Sequence, residues 1–158
     1  RPNPQGKVNP LLLAFASGYT WIARGYAYDV KGLKELIKEG IAHRGLAFLH
    51  VLQPCPTYND LHTKEWFAPR LYRLEEAGYD PLVPPGLPPE ALEARMARFQ
   101  QKALEWGERI PVGVFWKAEL PTFEARLKAY LPRYPEAYPA RGPETPLDLE
   151  GLLQEFAL

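Results

Sequence analysis

The stretch LAFLHVLQPCPTYN, residues 46–59, determines how the rest of the chain is understood. It begins with an almost unbroken apolar run and ends in a polar segment that holds the only cysteine of the sequence, Cys55, between Pro54 and Pro56. A short continuous apolar run is typical of a strand buried on both faces of a parallel sheet. Because ligands of open parallel sheets bind beyond the carboxyl ends of the strands, Cys55 is predicted to lie where a binding site forms. The two prolines fix φ on either side of it and so restrict the direction of the thiol.

The residues before this stretch predict a β-α-β unit. Asn9 and Pro10 supply an N-cap and a proline at the first helical position, so a short helix is expected over 11–17. Residues 20–23 predict a second buried strand, and Asp29 is expected to cap a longer helix. Five apolar residues fall on one face of this helix: Val30, Leu33, Leu36, Ile37 and Ile41. Strand, helix and strand in this order imply parallel pairing with a right-handed crossover.

The following residues are predicted to be mostly helical. A helix is expected over 63–77, broken near Pro69, and an extended surface loop over 80–89. A second long helix is predicted to end at Gly107, with these residues on one face: Leu92, Met96, Phe99 and Ala103. Residues 112–116 predict a strand, placed at a sheet edge because Pro111 stands at its start.

The last part of the chain combines a short helix, expected over 122–130, with a proline-rich tail. Apolar residues recur at helical spacing near the end of the tail and predict a docking helix: Leu149, Leu152, Leu153 and Phe156. The fold class is therefore α/β. We expect residues 1–60 to form the carboxyl part of an α/β domain, 61–131 a mostly helical extension, and 132–158 a tail.

Composition excludes several classes of protein. The 158 residues carry a formal net charge of +0, and no basic cluster with interleaved aromatics is present, so a nucleic-acid footprint is not indicated. No apolar run approaches the length of a membrane span. One cysteine cannot form an internal disulfide, which favours a reducing compartment, and we expect a cytoplasmic protein.

Residue chemistry leaves three interpretations of Cys55 open. It is a buried small hydrophobe, a nucleophile paired with a histidine, or one ligand of a metal or iron–sulfur centre. His50 lies inside the apolar run, where a hydrogen-bonded core histidine is expected, whereas His62 follows the cysteine and could face the same cavity. His43 is expected near a helix C-terminus, where the dipole favours a positive charge.

Several short motifs in order resemble one family, the thiamine-diphosphate-binding beta subunits of 2-oxoacid:ferredoxin oxidoreductases. They are NPLLLA (9–14), TWIARG (20–25), LQPCPTYN (52–59), ALEWG (103–107), IPVGVF (110–115) and PTFE (121–124). The resemblance runs from about residue 9 to residue 127 and implies a thiamine-diphosphate-binding α/β domain followed by the C-terminal extension of the family. It also implies that Cys55 is the fourth cysteine ligand of a 4Fe–4S cluster whose other three ligands come from the amino-terminal half.

The resemblance implies a complete set of cofactors and partners. Thiamine diphosphate, Mg²⁺ and the cluster would all require residues that precede Arg1, so the chain is expected to be the carboxyl half of a beta subunit, inactive alone. The implied reaction is oxidative decarboxylation of a 2-oxoacid, such as 2-oxoglutarate, to acyl-CoA and carbon dioxide, with electrons passed to ferredoxin. The implied partners are the alpha subunit, ferredoxin, the 2-oxoacid and coenzyme A. Two alternatives stay open: a thiol-dependent enzyme that uses Cys55 with His50 or His62, and a non-catalytic module that organises partner subunits.

Overall fold

A computed structural model describes residues 6, 8–131, 133, 134 and 154, and the chain divides into two units, residues 1–120 and residues 121–158. The helices are α1 (Pro10–Ala16), α2 (Val30–Ala42), α3 (Lys64–Phe67), α4 (Pro89–Leu104) and α5 (Phe123–Tyr130). The strands are β1 (Trp21–Tyr26), β2 (Ala47–Leu52), β3 (Leu71–Arg73), β4 (Leu82–Val83) and β5 (Ile110–Ala118). All of these except α5 belong to the first unit.

The predicted β-α-β unit is confirmed. β1 pairs with β2 in parallel, from Trp21 opposite Ala47 to Tyr26 opposite Leu52, and α2 connects the two strands. The α2 helix begins where expected because the Asp29 carboxylate accepts a hydrogen bond from the Gly32 N–H at 2.9 Å. The α/β class predicted from the sequence is therefore the class of the fold.

One sheet joins the strands before and after residue 60. Its order is β2-β1-β5-β3, with β4 also paired to β5; β5 runs antiparallel to β1 and parallel to β3 and β4. On one face, α1 and α4 cover β1 and β5 through a core that includes Phe99, Phe115 and Ile22. The division at residues 60 and 131 stays a prediction.

The edge position predicted for the strand that follows Pro111 is wrong, because β5 is an interior strand. It has β1 on one side and β3 and β4 on the other. The pairs between β5 and β1 reach no further than Gly113, opposite Arg24. Pro111 therefore lies beyond the last pair on that side, where the N–H that proline lacks is not needed.

The prediction that the 46–52 strand is buried on both faces is also wrong for the described part of the chain. β2 lies at an edge of the sheet, and along it only Leu52 is buried. The apolar face predicted for α2 is likewise open, since Val30 is 73% and Ile41 80% exposed. The helix packs closely on β1 where glycine allows it: a Cβ on Gly25 would lie 2.7 Å from a Leu33 methyl carbon, and a Cβ on Gly40 would lie 3.1 Å from the Trp21 ring.

Three further predictions need correction or fall outside the described residues. The helix expected over 63–77 stops at Phe67, because the chain turns and continues as β3. The proline-rich 80–89 segment contains β4, whose Val83 is buried. The long helix α4 ends at Leu104, before Gly107. The docking helix predicted from Leu149 to Phe156 lies outside the described residues, apart from residue 154.

The second unit contains α5, which begins where predicted. The Thr122 hydroxyl accepts a hydrogen bond from the Ala125 N–H at 3.2 Å, so this residue is the N-cap. Of the helices in the described ranges, none has both the length and the apolar character needed to cross a membrane.

Candidate functional site

Cys55 lies in a turn beyond the carboxyl end of β2. Its carbonyl oxygen accepts hydrogen bonds from the N–H groups of Asn59 at 2.8 Å and Tyr58 at 3.3 Å, which close the turn. Pro54 is buried and Cys55 is half-buried, so the chain is anchored just before the thiol and the thiol remains accessible. No hydrogen bond reaches the sulfur from any residue that the structure describes. The cysteine is therefore neither sealed in the core nor paired with a base.

An aromatic cluster formed by His62, Trp66, Phe67 and Trp106 lies behind this turn. The His62 and Trp66 rings meet edge to face at 4.4 Å, and the other ring pairs of the cluster lie 5.0–6.3 Å apart. The cluster is linked to the Cys55 turn because Nδ2 of Asn59 lies 2.9 Å from Nδ1 of His62. His62 therefore supports the turn through Asn59, and no hydrogen bond joins its ring to the thiol.

Arg24 is a residue of this region to which the sequence analysis gave no role. It lies on β1 and is only 2% exposed, with Nε donating to Nδ1 of His50 at 3.3 Å and Nη1 donating to the Pro111 carbonyl at 3.5 Å. Its guanidinium stacks within 5.3 Å of the Phe115 ring and 5.8 Å of the Trp106 ring. Burial lowers the pKa of Arg24 to about 10. A charged residue inside an otherwise apolar strand was the signal that could have found it.

His50 is hydrogen-bonded, as expected, but it is half-exposed on the edge strand β2 and does not lie in the core. Its ring accepts the Arg24 hydrogen bond, and desolvation together with the charge of Arg24 lowers the pKa of His50 to about 4. The ring is therefore neutral near pH 7.

His43 lies away from this region, at the C-cap of α2, where its Nε2 is 2.7 Å from the Thr20 hydroxyl. The prediction that the helix dipole favours its charge is not supported. Burial, followed by the positive charge of Lys117, lowers the pKa of His43.

Tyr26 adds a second buried polar group at the same end of the sheet. Tyr26 lies opposite Leu52, which precedes Cys55 by three positions. The centres of the Tyr26 and Phe67 rings are 5.5 Å apart. The Tyr26 hydroxyl is buried and has no hydrogen-bond partner among the described residues. A buried hydroxyl without an acceptor is costly, so an acceptor from elsewhere is expected.

A groove of about 830 Å³ lies between α2 and β5, and Tyr26 is one of the residues that line it. Its lining mixes acids with Lys31, Arg73 and Lys117, and none of Cys55, His50 and His62 contributes to it. Most of its charges are already paired within the chain, as in the 2.5 Å contact between Arg73 and Asp29. The groove does not contain the predicted chemistry.

The groups near Cys55 fit one corner of a thiolate-ligated iron cluster. Within the ranges that the structure describes, no three metal-binding side chains converge, so Cys55 alone offers a soft ligand here. A 4Fe–4S cluster needs four such thiolates, and three would have to come from other residues. The buried cation of Arg24 and the unpartnered hydroxyl of Tyr26 suit a neighbouring anion. A thiolate-ligated cluster is such an anion.

The fold and this site define an α/β protein with a free thiol at the carboxyl end of a parallel strand. Residues 55–131 match the family model for the C-terminal region of the pyruvate ferredoxin oxidoreductase beta subunit. A 2-oxoacid:ferredoxin oxidoreductase subunit beta from Sulfolobus sp. is 53% identical over 143 residues, which cover 89% of this chain and 46% of the relative. The corresponding protein from Saccharolobus solfataricus is 47% identical over 164 residues, covering 98% and 52%.

The chain belongs to the family of 2-oxoacid:ferredoxin oxidoreductase beta subunits, and it spans about half the length of the curated relatives that it matches. A similar fold occurs in the solved structure of 2-oxoglutarate:ferredoxin oxidoreductase from Magnetococcus marinus with 2-oxoglutarate, coenzyme A and succinyl-CoA bound. That chain superposes with a TM-score of 0.64 at 24% identity, covering 98% of this chain and 46% of its own length.

Proposed function

We propose that this chain supplies one thiolate ligand, Cys55, to a 4Fe–4S cluster in a 2-oxoacid:ferredoxin oxidoreductase. The observation that carries the proposal is the half-buried, unpaired thiol at the carboxyl end of β2, in a chain of this family. In the complete enzyme the reaction is oxidative decarboxylation of a 2-oxoacid, either 2-oxoglutarate or a broad range of 2-oxoacids. Its products are acyl-CoA and carbon dioxide, and its electrons go to ferredoxin.

Thiamine diphosphate and Mg²⁺ supply the carbanion chemistry when bound, and the cluster supplies one-electron transfer. We assign the binding of thiamine diphosphate and Mg²⁺ to residues outside this chain, and the completion of the site to assembly with the alpha subunit. By itself this chain is then inactive. A single cysteine has no partner for an internal disulfide, which is consistent with our placement of the protein in the cytoplasm.

The role of the residues in this chain is to hold and orient the thiolate. Buried Pro54 fixes the backbone before the cysteine, and the two hydrogen bonds to the Cys55 carbonyl fix it afterwards. The aromatic cluster covers one side of the turn through the Asn59–His62 contact. A rigid, partly dry position lowers the reorganisation that accompanies electron transfer and helps to set the potential of a bound cluster.

The test is a Cys55→Ser variant of the complete enzyme complex. We expect loss of the 4Fe–4S electron paramagnetic resonance signal and of ferredoxin reduction, while the subunits still assemble. The matched variant His62→Gln should keep the signal and the iron content, because its ring contacts the turn and not the sulfur. A Cys55→Ser complex with a full cluster signal and full ferredoxin reduction would refute the proposal. If the parent complex contains no iron, and Cys55→Ser and His62→Gln each abolish its activity, the result would favour a thiol-dependent enzyme.

A further inference from the structure

The buried guanidinium of Arg24 has no carboxylate partner in the part of the chain that the structure describes. Its hydrogen bonds go to a neutral histidine ring and to the Pro111 carbonyl, and its other close neighbours are aromatic rings. The more exposed Arg73 differs, since it lies 2.5 Å from Asp29 and 3.2 Å from Glu75. Arg24 is thus a buried charge whose counter-charge is missing.

Such a charge is costly to keep. Proteins almost always pair a buried charge, because the surroundings screen and solvate it poorly. Desolvation is the cause that lowers the pKa of Arg24, and no neighbouring acid offsets it. The guanidinium is nevertheless charged at neutral pH, so we expect an anion close to it in the assembled protein.

Two connections link Arg24 to the Cys55 turn, one along the sheet and one through aromatic rings. Arg24 is opposite His50 in the parallel register, and Cys55 follows five residues later in the direction of the strand. Five residues span at most about 18 Å even when fully extended. The second connection begins at Trp106, which covers the guanidinium. The Trp106 ring lies 6.1 Å from the His62 ring, and His62 contacts the Cys55 turn through Asn59.

We propose that the missing counter-charge of Arg24 is the anionic cluster ligated by Cys55, and that Arg24 raises the reduction potential of this cluster. The inference rests on the proposed function. With four thiolate ligands the cluster is negatively charged, and one-electron reduction adds one more negative charge to it. A fixed cation nearby stabilises the reduced state more than the oxidised state. Arg24 is therefore a positioning residue that acts through the field at the cluster.

The test measures the midpoint potential of the cluster in the complete enzyme complex, by titration with dithionite followed by electron paramagnetic resonance. We expect Arg24→Gln to shift the potential to more negative values. Arg24→Lys keeps the positive charge and should therefore keep a potential close to that of the parent complex. Arg109→Gln is the matched control, because that arginine is exposed and water screens its charge. An unchanged potential in Arg24→Gln, with a full cluster, would overturn the inference and indicate an anion other than the cluster.

A second pair of variants covers the case in which Arg24→Gln does not load a cluster. Trp106 is 42% exposed and covers the guanidinium, so Trp106→Glu would place a carboxylate beside an intact Arg24. We expect a more negative cluster potential in Trp106→Glu than in Trp106→Gln, which removes the ring without adding a charge. Equal potentials in the two variants would overturn the inference. A Cys55→Ser complex that keeps its cluster would overturn both the proposed function and this inference. Loss of the cluster in Cys55→Ser, with unchanged potentials in the other variants, would overturn only the inference.

Discussion

The hydrogen bond between Arg24 and His50 limits what His50 can do. The Nε–H of arginine can only donate, so Nδ1 of the ring must accept, and the proton of the neutral ring lies on Nε2. A ring in this state has no free nitrogen with which to deprotonate a thiol. His50 is therefore a structural partner of Arg24, and the geometry gives no support to its pairing with Cys55 as a catalytic base.

The low pKa of His50 predicts a pH dependence of stability. Its folded-state pKa of about 4 lies below the ordinary value of 6.5, so the unfolded chain takes up a proton first as the pH falls. The free energy of unfolding should decrease between pH 6.5 and pH 4, by at most about 1.4 kcal/mol per pH unit, and by less because the ring is half-exposed.

Urea unfolding of the beta subunit at several pH values between 4.5 and 7 measures this dependence. His50→Gln should make it weaker, because glutamine can accept the same Arg24 hydrogen bond and does not titrate. His43, whose pKa is also lowered, remains in the variant and retains part of the dependence. Equal pH slopes for the variant and the parent protein would contradict the prediction.

At the scale of the element, helix starts were predictable from sequence and strand positions were not. Asn9, Asp29 and Thr122 each cap the helix that follows, because a cap depends on hydrogen bonds to residues two or three positions away. The place of a strand in the sheet depends on distant partners. Hence Pro111 suggested an edge for β5, and the apolar run of β2 suggested an interior strand, and both inferences were wrong.

The packing of α4 on the sheet rests on Phe99. This side chain is completely buried, and its ring lies 4.7 Å from that of Phe15 and 5.8 Å from that of Trp116. Phe99→Ala should lower the free energy of unfolding by about 3–5 kcal/mol, since it removes both aromatic contacts and leaves a cavity. Leu104→Ala, at the exposed end of the same helix, should change it by less than about 0.5 kcal/mol. Thermal or urea unfolding measures both, and similar losses in the two variants would show that α4 is not anchored by this ring.

At the scale of the whole molecule, the sequence predicted the class of the fold and the location of the thiol, but not its surroundings. The position of Cys55 after a parallel strand followed from a local pattern. The approach of Arg24 and Trp106 to the same end of the sheet depends on a pairing between β1 and β5 about 90 residues apart, which no local pattern encodes. The exposure of Val30 and Val51 could not be predicted from sequence for a similar reason. Periodicity indicates which face of an element is apolar, but it does not indicate what covers that face.

The assembled enzyme offers a direct test of the state of the thiol. If Cys55 ligates a cluster, iodoacetamide should not alkylate it in the iron-loaded complex, because the lone pair that would attack is bound to iron. After removal of iron by a chelator, iodoacetamide should alkylate Cys55, since its half-buried sulfur is accessible and no longer bound to metal. Mass spectrometry of the peptide that contains Cys55 measures the labelled fraction, with the urea-unfolded protein as the reference for complete labelling. Full labelling while iron is still bound would contradict ligation. Labelling of the iron-free protein much faster than that of the unfolded protein would instead indicate an activated thiol, and with it the thiol-dependent enzyme.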